Sequence, residues 1–307
     1  MPKVSICIPC YNNADEVARL LQSICEQEFR DYEVNISDDS TNDEIALLIK
    51  NQFPEVNYQH NETPYGHIFN WNAAILMAKG EYIKIMFSDD WFTDSHSLGA
   101  YTALLDANPK AMLAFSGSRQ VMLDGQNTAG MMHVAQENQK DFYDRCASKE
   151  YINRLKKDYR TLFTGNQIGA PSAVIYRRGA NLTLFDEQSN WASDMFLYFD
   201  LLEKCAEFAY TKKPLVSIGV HKHQYTESFS EKDMRIYQDY RYMYTKYHLK
   251  ESIECREYFA EKFIVKYHKG AAEVKALGIG WNVWVRKWIA EQKATVQCFV
   301  KNRFRRK

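Results

Sequence analysis

The first 90 residues alternate between short apolar runs and helical periods, and this alternation restricts the fold more than any other feature. Val4–Ile8 is a β-branched run closed by Pro9. Asp15 to Glu26 carries Val17, Leu20, Leu21 and Ile24 on a helical period. Tyr32–Ile36 and Val56–Gln59 read as strands, with a short helix, Glu44–Lys50, between them. Ile68–Ala78 predicts a third helix, stopped by Gly80, and Tyr82–Phe87 a fourth strand. Alternating units of this length build a parallel sheet with helices on both faces.

In such sheets ligands bind beyond the carboxyl ends of the strands. Two acidic clusters fall there: Asp38-Asp39 after the second strand and Asp89-Asp90 after the fourth. The first strand-to-helix turn, Pro9-Cys10-Tyr11-Asn12-Asn13, lacks glycine, and no G-x-x-x-x-G-K-[ST] occurs. The usual dinucleotide and P-loop arrangements are thereby disfavoured. Carboxylates offer another way to hold a nucleotide, one accepting hydrogen bonds from base or ribose, another binding a divalent cation on a diphosphate. Asp89-Asp90 suits the second task, because Mg²⁺ and Mn²⁺ favour one or two carboxylates plus substrate phosphates. The ordinary alternative is a helix N-cap, since a helix begins near Ser95.

Further along, Ser95–Leu105 reads as a helix and Ala111–Ser116 as a strand, and Val121–Leu123 precedes an Asp124-Gly125 turn. Ala173–Tyr176 and Leu215–Val220 read as strands, and Trp191–Leu202 as a helix with Asp194 in its first turns. From Glu231 the pattern is helical, through two Tyr-rich stretches at 231–248 and 251–268. A boundary near 226–230 gives a domain at 1–228 and a helical region at 229–307.

The formal net charge is zero, from 39 basic and 39 acidic residues, but the charge is unevenly placed. Residues 1–110 hold 7 basic and 17 acidic side chains, and residues 279–307 hold 8 and 1. With 46% hydrophobic and 25% charged residues the chain is globular, not disordered. The N-terminus enters a strand directly, without a signal-peptide pattern, and no apolar run is long enough to span a bilayer. The seven cysteines are odd in number and mostly isolated, which predicts reduced thiols in the cytoplasm. Cys7 and Cys10 form a C-x-x-C without a second pair for metal, and read as small residues along a buried strand.

In the tail, 279–307, Trp281, Trp284, Val285, Trp288, Ile289, Val296, Phe299 and Val300 recur at helical spacing. Arg286, Lys287, Lys293 and Lys301 interleave, and Arg303, Arg305, Arg306 and Lys307 close the chain. Trp-rich and basic faces are features of an interfacial membrane helix; the alternative is a helix packed on its own domain or on a second subunit. Nucleic acid fits less well, because the acidic first domain opposes it.

Several segments carry a family resemblance. Val4 to Asn12 resembles the opening strand of the inverting glycosyltransferase family two, of GT-A fold. Tyr32 to Asp43 is similar to its V-D-D-G-S-T-D segment, Gly66 to Ala74 to its G-x-S-x-A-R-N-x-G helix, and Gly80 to Asp90 to the G-E-Y-I strand leading to D-x-D. Phe185-Asp186-Glu187 with Ser193-Asp194 resembles F-D-E…E-D, and His221-x-x-Gln224-x-Thr226 a later H-x-x-Q/S-x-S motif. The chain departs from these patterns at Phe87 for the first acid of D-x-D, Ser40 for Gly, Trp71 for Arg, Ala74 for Gly and Ser193 for Glu.

The resemblance implies an α/β fold of GT-A type, a Rossmann-like mixed sheet with helices on both faces, followed by a C-terminal helical extension. Residues 1–110 would be the nucleotide-binding half and 111–228 the acceptor-binding half. Pro9, Tyr11, Asn12, Asp39, Gly66, Asn72 and Asp89 would bind the nucleotide, with Asp39 on the base and Asp89 toward the ribose or sugar. Asp90 would ligate Mn²⁺ or Mg²⁺, with His221 as a further ligand and His223 as the competing choice. Asp194 would be the catalytic base. The implied activity moves a sugar from a nucleotide-sugar, of UDP type, to a saccharide or lipid-linked saccharide, as in bacterial polysaccharide or O-antigen assembly. The protein would work in the cytoplasm, peripheral to the inner face of the membrane through 279–307, with homo-oligomerisation left open. The competing functions are nucleotide-sugar binding without transfer and sugar-nucleotide hydrolysis or nucleotidyl transfer.

Overall fold

The computed structural model describes residues 1–123, 142–221, 224–230 and 232–304. The chain divides into two compact units. The first comprises 1–159, 166–189 and 193–228; the second comprises 160–165, 190–192 and 229–307.

The first unit runs β1 (Val4–Cys10), α1 (Ala14–Cys25), β2 (Tyr32–Asp38), α2 (Glu44–Gln52), β3 (Asn57–His60), α3 (His67–Leu76) and β4 (Tyr82–Ile85). It continues with β5 (Trp91–Phe92), α4 (Ser97–Asp106), β6 (Leu113–Met122), β7 (Phe142–Arg145), α5 (Lys149–Lys157), β8 (Val174–Arg177), α6 (Ser193–Lys204) and β9 (Phe208–Val220). The strands form one sheet of order β3-β2-β1-β4-β8-β6-β9-β5, with β7 on β6. The first four strands are parallel, as the alternation predicts, and β8 then pairs antiparallel with both β4 and β6. The sheet is therefore mixed. β1 lies at its heart with every residue buried, the pattern of a parallel strand covered on both faces. Val17, Leu20, Leu21 and Ile24 of α1 close over it, as their spacing requires.

Two strands are longer than their apolar runs. β6 continues through Gly117 and takes in Val121, and β9 begins at Phe208, seven residues before Leu215. The pairing of β6 with β9 shifts register around Gly117, opposite Pro214. A bulge there accommodates a proline inside the sheet and explains why Thr211-Lys212-Lys213-Pro214 does not read as a strand. The Asp124-Gly125 turn lies outside the described residues. Cys7 and Cys10 are free thiols buried on β1.

The second unit holds α7 (Met234–Lys246), α8 (Ile253–Phe259), α9 (Ala271–Ala276) and α10 (Trp281–Phe304), with a wider π turn at Ala260–Val265. Four of the five tyrosines of the first Tyr-rich stretch, Tyr237, Tyr240, Tyr244 and Tyr247, lie on one helical face and are buried. Tyr240 stacks on Phe263 with centroids 4.0 Å apart, and Tyr244 stacks on Phe259 at 4.6 Å. Asp239, 1% exposed, accepts hydrogen bonds from the backbone N–H groups of Asn190, Trp191 and Ala192 and from the Asn190 amide. Removing that carboxylate strands three backbone donors. Asp239→Ala is therefore expected to cost about 3 kcal/mol or more in urea denaturation, and Asp239→Asn, which keeps one acceptor oxygen, distinctly less.

Candidate functional site

The carboxyl ends of β1, β2, β4 and β9 and the start of α3 are tied together by buried polar side chains. At the end of β2 the two adjacent acids have different tasks. Asp38 is fully buried and accepts hydrogen bonds from the Tyr58 hydroxyl at 2.7 Å and the Ser40 N–H at 2.8 Å. It belongs to the scaffold. Asp39 is 3% exposed and accepts from the Asn61 amide at 2.7 Å and from the Gly66 N–H at 2.9 Å. Gly66 has φ of +85°, a conformation side chains rarely adopt, which aims its N–H at Asp39. An ionised carboxylate offers about four lone-pair sites, so Asp39 retains acceptor capacity for a ligand.

The turn after β1 is held by Asn12, itself at φ of +51°. Its side-chain oxygen accepts from the Thr41 N–H at 3.0 Å, and its own N–H donates to Ser40 Oγ at 2.8 Å. Ser40 thus uses its hydroxyl where the resembling motif has glycine. Asn13 donates to Ser88 Oγ and so joins this turn to the end of β4. Tyr11 is 56% exposed beside the turn, with its ring open to a ligand. Asn72 does not face the same way. Its oxygen accepts from the Phe185 N–H at 2.8 Å and its amide donates to the Phe185 carbonyl at 3.0 Å. Both polar groups clamp that backbone.

Past β4 the two acids again differ. Asp89 is partly exposed, and its Oδ2 lies 3.2 Å from His221 Nε2. Asp90 is buried and accepts from the Gly219 N–H at 3.2 Å. A Cβ on Gly219 would lie 2.5 Å from the Asp89 carbonyl oxygen, so only glycine allows β9 to approach this closely. Burial, reinforced by the adjacent charge of Asp89, pushes the Asp90 carboxyl up. Gln224 donates to the Gly219 carbonyl at 2.7 Å, which binds the H-x-x-Q segment to the same strand end. His223 lies outside the described residues.

Among the described residues no group of three or more His, Cys, Asp and Glu forms a ready-made metal cage. Asp89 and His221 lie 3.2 Å apart beside Asp90, and a divalent cation held here would have to draw most of its coordination from substrate phosphates. Beneath Asp90, Lys84 is fully buried on β4, and its Nζ donates to the carbonyls of Ser172, Val174 and Ile85.

Trp71 and Phe87, the positions where the motifs have Arg and Asp, touch each other, with ring centroids 4.7 Å apart. Trp71 also meets Phe185 at 4.9 Å and His67 at 5.4 Å, and His67 meets Tyr225 at 4.2 Å. An aromatic cluster thus stands where opposite charges would face each other.

Asp194 lies in the first turn of α6 and is partly exposed. Its Oδ2 accepts from the Asn166 amide at 2.7 Å and its Oδ1 from the Met195 N–H at 2.7 Å. Asn166 is itself fixed, accepting from the N–H groups of Ile168 and Gly169. Burial pushes the Asp194 carboxyl up to about 6, against the opposing effect of these donors and of Arg145. Asn166, Ser172 and Lys84 are the site residues that the motifs do not mark. Only Lys84 carries a local signal, a lysine inside an otherwise apolar strand.

Known proteins share this architecture. S. aureus TarS residues 1–349, in complex with UDP-GlcNAc, matches with a TM-score of 0.60 at 19% identity, covering 93% of this chain and 79% of that one. The Pyrobaculum calidifontis mannosyltransferase PcManGT, in complex with GDP-Man and Mn²⁺, matches at 0.57 and 16% identity, covering 97% and 80%. At these identities the likeness establishes the GT-A fold. In sequence, the GalNAc(5)-diNAcBac-PP-undecaprenol beta-1,3-glucosyltransferase of Campylobacter jejuni is 22% identical over 303 residues, covering 90% of this chain and 86% of its own. A further curated relative is 34% identical over 184 residues, and the chain spans about half its length, 54%. Residues 5–185 match the family model described as Glycosyl transferase family 2, more than half of the 307 residues, and the chain belongs to that family.

Proposed function

We propose that the protein transfers a sugar from a nucleoside-diphosphate sugar to a hydroxyl acceptor in a single inverting displacement, with Asp194 as general base. The observation that carries this reading is the environment of Asp194, a partly exposed carboxyl raised to about 6 and oriented by Asn166. A base of that pKa is ionised at neutral pH yet basic enough to accept a proton as the acceptor oxygen attacks. Asp194 takes the proton of the acceptor hydroxyl while the new C1–O bond forms. The bond from C1 to the diphosphate oxygen breaks on the opposite face, releasing nucleoside diphosphate.

Residues 1–110 form the nucleotide half in this reading. Tyr11 lies against the base, Asp39 accepts from it, and Pro9, Asn12 and Gly66 shape the turn around it. Asp89 serves the ribose or sugar, and residues 111–228 receive the acceptor. Asp90 would hold Mn²⁺ or Mg²⁺ with His221 nearby, and such a cation offsets the charge that grows on the leaving diphosphate. UDP is the favoured nucleotide, in keeping with the UDP-GlcNAc bound to TarS. A lipid-linked saccharide is the favoured acceptor, in keeping with the undecaprenol-linked saccharide named for the Campylobacter relative.

The end of the chain supports a membrane-facing role. On α10, Trp281, Val285, Trp288 and Ile289 form an exposed stripe, with the tryptophans 53% and 49% exposed. Arg286 pairs with Glu257 at 2.6 Å, and Lys287 with Glu261 at 2.7 Å. These two cations are engaged by acids of their own unit. Val296, Phe299, Val300, Lys301 and the closing basic residues have side chains outside the described residues. No helix among the described residues is long and apolar enough to cross a membrane. We place α10 in the surface of an anionic membrane, its Trp stripe inward.

Four outcomes are expected. Asp194→Asn loses about 10²–10⁴-fold in turnover while binding UDP normally by calorimetry; near-wild-type turnover would refute the base assignment. In the wild type, kcat/KM falls as pH drops through about 6, where Asp194 takes a proton. Asn166→Ala removes a donor that favours the charged form, so this acid limb moves to higher pH. Trp281→Ser with Trp288→Ser reduces sedimentation with anionic liposomes and leaves UDP binding intact; equal sedimentation would exclude the stripe as the docking face.

A further inference from the structure

Five aromatic rings meet next to the residues proposed for the donor. His67 and Trp71 lie on α3, which begins directly after Gly66. Phe87 stands two residues before Asp89, and Tyr225 directly follows the H-x-x-Q segment that starts at His221. Phe185 completes the group. Trp71 is its hub, with ring centroids 4.7 Å from Phe87, 4.9 Å from Phe185 and 5.4 Å from His67. Tyr225 joins through His67 at 4.2 Å. Phe185 is buried, but His67, Trp71 and Phe87 are partly exposed and Tyr225 is 37% exposed. The cluster therefore has a dry back and an open side, unlike the closed core beneath the sheet.

The backbone behind these rings is fixed. Asn72, next to Trp71, accepts from the Phe185 N–H and donates to the Phe185 carbonyl. The Phe87 N–H donates to Ser172 Oγ at 3.0 Å, and the Gly66 N–H, just before His67, donates to Asp39 at 2.9 Å. Rings anchored in this way form a preorganised surface, so little ordering is required when a ligand meets it. The surface is also poor in hydrogen-bonding groups. His67 Nε2 is shut off from solvent and has no hydrogen-bond partner, and burial pushes the His67 imidazole down, which keeps the ring neutral at neutral pH. A sugar hydroxyl set on the face of Trp71 or Phe87 loses its water and gains no partner. A methyl group in the same place loses nothing and gains contact.

We propose that Trp71 and Phe87 select the donor sugar: their rings receive the methyl group of a hexose that carries one, as an acetamido or a 6-deoxy substituent, in preference to a hexose bearing hydroxyls alone. The proposal rests on the reading of the protein as a nucleoside-diphosphate-sugar transferase and names the class of sugar that it moves. The expected discrimination is that of one methyl group in an apolar pocket, about tenfold or more.

The test is calorimetry on the full chain with Mn²⁺ present, comparing UDP, UDP-glucose, UDP-6-deoxyglucose and UDP-N-acetylglucosamine. At least one of the two methyl-bearing donors is expected to bind about tenfold more tightly than UDP-glucose. Which of them does so places the methyl group at C6 or on the C2 substituent. Trp71→Ala and Phe87→Ala are each expected to bring that ratio to within about twofold of unity, while UDP affinity stays within about twofold of wild type. Equal affinity of the wild type for all three sugars overturns the proposal. So does a preference that survives in either variant, because the selecting group then lies elsewhere. A variant that weakens UDP and every donor alike marks a structural role and also overturns it. Phe87→Ala decides the matter even if Trp71→Ala fails to fold. If UDP itself does not bind, the UDP reading fails and the selection falls with it; if UDP binds and the sugars are not distinguished, only the selection by Trp71 and Phe87 falls.

Discussion

Three carboxylates are buried at the ends of neighbouring strands, and the local structure is built around satisfying them. Asp38, Asp39 and Asp90 are almost without solvent contact. A buried carboxylate that lacks donors is costly, so each has recruited groups from other elements. Tyr58 and Ser40 serve Asp38, Asn61 and Gly66 serve Asp39, and Gly219 serves Asp90. These bonds cross between loops that are far apart in sequence. They convert strand ends that would otherwise move independently into one polar floor. The same bonds leave Asp39 and Asp90 as acceptors with unused capacity. In the proposed function, a nucleotide base offering N–H groups or a cation would complete these sets.

The acid proposed as general base is placed differently. Asp194 accepts from two donors, as Asp38 and Asp39 do, but is partly exposed. Burial outweighs its donors and pushes its carboxyl up to about 6.

Much of the first unit was legible because parallel strands are written in local signals. The runs at Val4–Ile8 and Tyr32–Ile36 need burial on both faces, and the acids after them stand where ligands approach. The less legible parts depend on distant partners. Asn166 acquires its role only when its turn comes to rest 2.7 Å from Asp194, 28 residues onward. Asn72 sits in a recognisable motif, yet tertiary pairing with the Phe185 backbone takes its polar groups. The length of β9 was hidden because a bulge tolerates Pro214 and its polar neighbours. In the tail the spacing marks the Trp stripe, but cannot tell that Glu257 and Glu261 take up Arg286 and Lys287.

The contact between Trp71 and Phe87 explains why two departures from the motifs occur together. If an arginine at 71 faced an aspartate at 87, replacing either alone would leave an unpaired charge beside the site, which costs more than losing the pair. Replacing both removes the charges and substitutes a ring contact, extended here by Phe185, His67 and Tyr225. The exchange leaves Asp89 and Asp90 without a guanidinium at position 71. Positive charge near these acids then comes from Lys84 below and from His221 beside them when protonated.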